Sequence, residues 1–94
     1  MLDLKYPLRP HPEVVDTEVN AEEVALLHLQ SKAYYSLNLT GARIWQYVKQ
    51  GLSPREICRL LEKEFEVDAK QAQDSVSGLL EELLRQELVQ ATEP

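Results

Sequence analysis

The stretch KAYYSLNLTGARIWQYVKQGLSPREI, residues 32–57, passes from strand chemistry to helix chemistry within a few positions, and its reading decides the fold. Ala33 to Leu37 holds two tyrosines, no charge and no proline, the make-up of a half-buried strand. Thr40, or alternatively Asn38, is placed to cap a helix in which Ile44, Trp45 and Val48 share one face, and Gly51 ends it. Ser53-Pro54-Arg55-Glu56 then reads as a helix start: a serine cap, a proline at the first helical position, and a glutamate that reaches back to close a capping box.

Upstream, VVDTEV (14–19) and EVALLHL (23–29) alternate apolar and polar positions and are separated by turn signals near Asn20-Ala21 and Gln30-Ser31. Connections this short give an antiparallel meander whose middle strand is paired on both sides. Its two outer strands differ. Asp16 and Glu18 place charge on the first, a common guard against stray pairing, whereas residues 33–37 carry no such guard and leave a row of main-chain groups open to another chain. Before Val14, Pro7, Pro10 and Pro12 predict an extended arm over residues 1–13 and no regular element.

Downstream, Ile57, Leu60, Leu61 and Phe65 form the apolar stripe of the second helix, and Asp68 with Gln71 starts a third that runs to about residue 86. Ala72, Val76, Leu79 and Leu83 follow core spacing, while Leu80, Leu84 and Leu88 widen the arc toward the C-terminal end. The extra width either walls a second contact or packs on the sheet and arm. Gly78 weakens the helix by ~1 kcal/mol relative to alanine, and the sequence offers no reason for it. The expected fold is α+β: a three-stranded antiparallel meander followed by three helices, resembling a winged helix-turn-helix, over residues 14–90, with a tail at 91–94.

Ninety-four residues make one modest core, and 44% hydrophobic with 28% charged residues is ordinary for a globular chain. The net charge of −6 is concentrated C-terminally: residues 53–94 hold five Lys/Arg against ten Asp/Glu, residues 1–52 five against six. This argues against partners that bind through phosphates. A recognition role for the third helix meets the same objection, since Lys70 and Arg85 are outweighed by Asp74, Glu81, Glu82 and Glu87.

One cysteine, Cys58, allows no internal disulfide. The N-terminus lacks a signal peptide's basic and apolar regions, and no run approaches the roughly 18 apolar residues of a membrane span, so a cytoplasmic location is expected. Catalytic groups do not converge: His11 lies between prolines, His28 belongs to the middle strand, Cys58 sits on a leucine-rich helix, and Glu22-Glu23 and Glu81-Glu82 read as solvated faces. Neither enzymatic activity nor a metal or cofactor is expected.

The combination Leu37-Asn38, Thr40-Gly41-Ala42, Ile44-Trp45 and Gly51, with a capped helix and a final helix closing on Leu88-Val89, resembles the PqqD-like precursor-peptide recognition domains over about residues 14–89. GLSPREI departs from the more usual Gly-x-Thr wording but conserves the cap. The resemblance implies that the leader segment of a ribosomally made precursor adds as a strand beside the third strand, in a groove against the third helix. On that reading Ala33, Tyr34, Tyr35 and Ser36 pair with the peptide, and Val76, Leu79, Leu80, Leu83 and Leu84 wall the groove. Tyr35 and Leu37 are expected to face the core, the direction of Tyr34 and Ser36 is open, and plain sheet packing is an equal role for either tyrosine.

The implied function is that of a non-catalytic adaptor presenting the leader to a leader peptidase and an ATP-dependent lasso cyclase. The runner-up is service to a radical enzyme in pyrroloquinoline quinone maturation. A winged-helix DNA-binding regulator and self-pairing of the third strand in a weak dimer are the competing readings, a monomer being the alternative state.

Overall fold

The structure, a computed structural model, describes residues 5–91, so the first four residues of the expected arm and the last three of the expected tail lie outside the described residues. Its elements run β1 (Leu8–Pro10), β2 (Val14–Asn20), β3 (Glu23–His28), β4 (Tyr34–Leu37), α1 (Leu39–Lys49), α2 (Pro54–Phe65), α3 (Ala69–Arg85) and β5 (Val89–Ala91). The expected meander is the sheet β2-β3-β4, with β3 central and antiparallel to both neighbours.

Local chemistry accounts for the helix ends. Asn38 caps α1, its side chain accepting from Gly41 N at 2.9 Å. Gly41 suits the site, because a Cβ there would stand a tight 3.3 Å from the Asn38 side chain and from Leu37. At the other end Gly51 takes φ +84°, and the bonds Gly51 N to Val48 O and Leu52 N to Tyr47 O close the turn with the 5→2 and 6→1 pattern of a Schellman motif. Ser53 and Glu56 form the expected capping box on α2, and Asp68 accepts from Gln71 N at 2.8 Å at the start of α3. The turn after α3 repeats the Schellman pattern with Glu87, φ 60°, in the left-handed position, and its bond from Leu88 N to Leu83 O steers the chain back along the domain.

That return has a partner which the proline pattern hid. β5 pairs with β1 in antiparallel register, Leu8 opposite Ala91 and Pro10 opposite Val89, and His11 N donates to Leu88 O at 3.0 Å. The arm therefore contains a strand, contrary to the sequence expectation, and Leu8 is buried at 4% exposure. Proline is tolerated because each strand of a two-stranded ribbon has one side free of ladder bonds. Ala91, expected in the tail, belongs to this ribbon.

The core lies between the inner face of the sheet and the helices, built on Leu26, Leu37, Ile44, Trp45, Ile57, Leu61, Val76, Leu80, Leu83 and Leu88, each at 2% exposure or less. Asp16 serves a different end from the edge guard expected of it. Its carboxylate accepts from the buried Trp45 Nε1 at 2.6 Å and from Lys49 Nζ at 2.8 Å, tying β2 to α1. The Lys49 bond first, and the Trp45 bond second, hold the Asp16 carboxyl below the usual carboxylate range.

Candidate functional site

β4 is an outer strand whose only strand partner among the described residues is β3. Which of its main-chain groups are free follows from the register. His28 N donates to Ala33 O at 2.9 Å, so the pair 28–33 is hydrogen bonded, and in an antiparallel ladder such pairs alternate with pairs that exchange no bonds. The groups of Tyr35 and Leu37 thus face β3, and those of Tyr34 and Ser36 face outward. The opposite side of β3 agrees: Leu29 N donates to Glu13 O, which turns Leu27 and Ala25 toward β2 and leaves Leu26 and Val24 for β4.

Side chains alternate in the same way. Leu37 is buried and Tyr35 half-buried against the core, as expected. Tyr34, 65% exposed, stands on the outer face in a row with Leu27 and Val15, and Ser36 is exposed there too, so the direction left open by the sequence is outward for both. Ser36 Oγ donates to Glu23 Oε2 at 2.6 Å, holding the strand near its neighbour's end. Ala33, half-buried, lies just before β4 and carries the carbonyl that His28 uses.

Beside this edge runs an open groove of about 810 Å³. Tyr35, Ser36 and Leu37 form its β4 side, Asn38, Thr40, Gly41 and Ile44 its base at the start of α1, and Asn20, Glu22 and Glu23 one end. From α3 come Ser75, Gly78 and Leu79. Leu79 is thus the single member of the expected wall that the structure places on the groove. Val76, Leu80 and Leu83 are corrected: they stand at 0% exposure in the core, and Leu84 is half-buried against that core outside the groove lining. Helical spacing defined the width of the apolar arc but not its rotation about the axis, which turned Ser75 and Gly78 outward where leucines were expected.

The groove's charged lining residues, Glu22 and Glu23, are acidic, and among the described residues neither lysine nor arginine lines it. That is the wrong sign for phosphate. The Cys58 thiol is pushed up by burial and then by Glu62, away from the reactive thiolate. His28 is buried at 3% exposure with Nδ1 accepting from the main-chain N–H groups of Gln30 and Ser31, a turn-bracing role, and its ring lies 4.4 Å from that of His11. Among the described residues no group of His, Cys, Asp and Glu is arranged to hold a metal ion, and no helix is long and apolar enough to cross a membrane.

An open strand edge over a groove, on a meander followed by three helices, is a fold with known relatives. The chain belongs to the family described as coenzyme PQQ synthesis protein D (PqqD), whose profile matches residues 23–89. Two solved structures are similar to it along nearly its whole length. TbiB1 in complex with the TbiA(beta) leader peptide is 30% identical with a TM-score of 0.82, covering 92% of this chain and 99% of that chain. A lasso peptide synthetase B1 complexed with the leader peptide is 28% identical with a TM-score of 0.76, covering 92% of this chain and 98% of that one. Comparison with curated proteins gives no match.

Proposed function

We propose that this chain is a non-catalytic adaptor that captures the leader segment of a precursor peptide as an added strand on β4, over the groove faced by α3. The observation that carries the reading is the β4 edge, where Tyr34 and Ser36 hold main-chain groups that β3 does not use, beside an open groove of about 810 Å³. Strand addition supplies affinity through main-chain bonds common to any extended peptide, while alternate side chains entering the groove select among peptides. On this account Tyr34 and Ser36 offer the pairing groups, Tyr35 and Leu79 touch the inward side chains, and Ala33 marks the end of the paired segment.

The two similar solved structures are leader-peptide complexes, one of them named a lasso peptide synthetase, which favours a lasso pathway over pyrroloquinoline quinone maturation. The adaptor then acts in the cytoplasm by raising the concentration of leader beside a leader peptidase and a lasso cyclase, and performs no bond-making itself.

The experiment is a titration with a fluorescein-labelled precursor leader peptide, followed by anisotropy and by solution mass. Saturable one-to-one binding with the mass of a single protein chain plus peptide supports the reading. A dimer that peptide fails to disperse, with no saturable binding, would show that the edge pairs with its own copy.

A further inference from the structure

Gly78 is a glycine that the fold does not require. Its backbone is not in the left-handed region, the only glycine there being Gly51, and a Cβ built at 78 would meet nothing within 4 Å. Gly41 differs, with contacts at a tight 3.3 Å waiting for the same added atom. Yet Gly78 sits in the interior of the 17-residue α3, where glycine is the worst choice short of proline. It is exposed, it lines the groove, and its neighbours on that face are Ser75 and Leu79, one helical turn away or adjacent.

Building on the strand-addition reading above, we propose that Gly78 sets the peptide specificity of the groove, its missing side chain leaving room for one large side chain of the bound strand. In an added strand every second residue shares the face of Tyr35 and Leu37, so its side chain enters the space between β4 and α3. Such residues recur about every 6.8 Å along the strand. At the level where Gly78 lies opposite, the α3 wall recedes by a side chain, and a branched or aromatic residue fits where elsewhere Leu79 would meet it. Leu79 and Tyr35 offer apolar surface there among polar lining residues such as Asn38, Thr40 and Ser75, so the room left at Gly78 selects by size.

The test uses peptides selected from a random displayed library by the wild-type chain, then synthesised with a fluorescein label. Gly78→Ala is expected to melt higher, by about 4 °C, because alanine favours the helix and meets no neighbour. The same variant is expected to bind the selected peptides about tenfold more weakly, the added methyl crowding the inward side chain. Reselection against it should then yield a smaller residue at one peptide position and leave the others unchanged. A Gly78→Ala chain that melts higher but binds equally well, with the same residues selected, overturns this proposal and leaves strand addition standing. A variant that melts lower also overturns it, since the glycine would then serve the fold. Should the selected peptides bind undiminished after Tyr34→Pro, the peptide is not on β4, and both readings fall together.

Discussion

Proline at position 34 removes a main-chain N–H that the fold leaves free. Because the Tyr34 groups face away from β3, Tyr34→Pro breaks no bond of the sheet, whereas Tyr35→Pro would cut the ladder to Leu26. The tyrosine side chain is 65% exposed, and Tyr34→Ala serves as the control for its loss. Relative to that control, the proline deletes one hydrogen bond to the incoming strand, a net loss of about 1 kcal/mol. It also leaves the peptide carbonyl opposite without a donor and covered by the ring, which costs about 1–2 kcal/mol more. The sum of about 2–3 kcal/mol corresponds to a roughly 30- to 150-fold rise in Kd. Anisotropy with labelled leader measures the affinity, and thermal melting verifies that Tyr34→Pro stays folded, within a few degrees of Tyr34→Ala. Equal Kd for the two folded variants would refute the outward assignment of the Tyr34 N–H or its use by the peptide.

Two further outcomes follow from the placement of side chains. Leu79→Asp is expected to weaken leader binding about tenfold or more while the domain stays folded, whereas Leu80→Asp, one residue on, unfolds it, since losing a fully buried leucine already costs about 2–5 kcal/mol before its carboxylate is desolvated; circular dichroism and anisotropy separate the two. Asp16→Ala is expected to lower stability by about 1 kcal/mol at neutral pH, by orphaning the buried Trp45 Nε1 in a partly solvated site. Because the folded Asp16 titrates below its unfolded value, its contribution is complete above the unfolded value of about 3.9 and disappears as pH falls through the folded one, so denaturant melts of wild type and variant should converge in acid.

The helix starts were legible because cap chemistry is local: Ser53, Glu56 and Asp68 each satisfy a donor within three residues. Asn38 and Thr40 could not be told apart on that basis, as both carry cap oxygens two positions apart, and in the fold it is Asn38 that accepts from Gly41 N. The β1–β5 ribbon was illegible for the opposite reason. Its partners are some 80 residues apart, its prolines read as breakers, and what buries Leu8 is a pairing that no local pattern encodes.

The site divides along the same line. Period-2 alternation placed Tyr35 and Leu37 inward, but only the bond from His28 to Ala33 fixed which main-chain groups of β4 stay free. On α3 the leucine pattern indicated a broad face, yet Leu80, read in its widened part, is core, and Leu79, read at core spacing, lines the groove. Ser75 and Gly78, too small to register as apolar signal, form the groove wall with Leu79.

Amide hydrogen exchange at β4, followed by NMR with and without saturating leader peptide, addresses the added strand most directly. The amides of Tyr35 and Leu37 should be protected in the free protein, and those of Tyr34 and Ser36 should exchange fast until peptide is added and slowly afterwards. Fast exchange at Tyr34 and Ser36 in the saturated complex would contradict the account, as would slow exchange there in the free monomer.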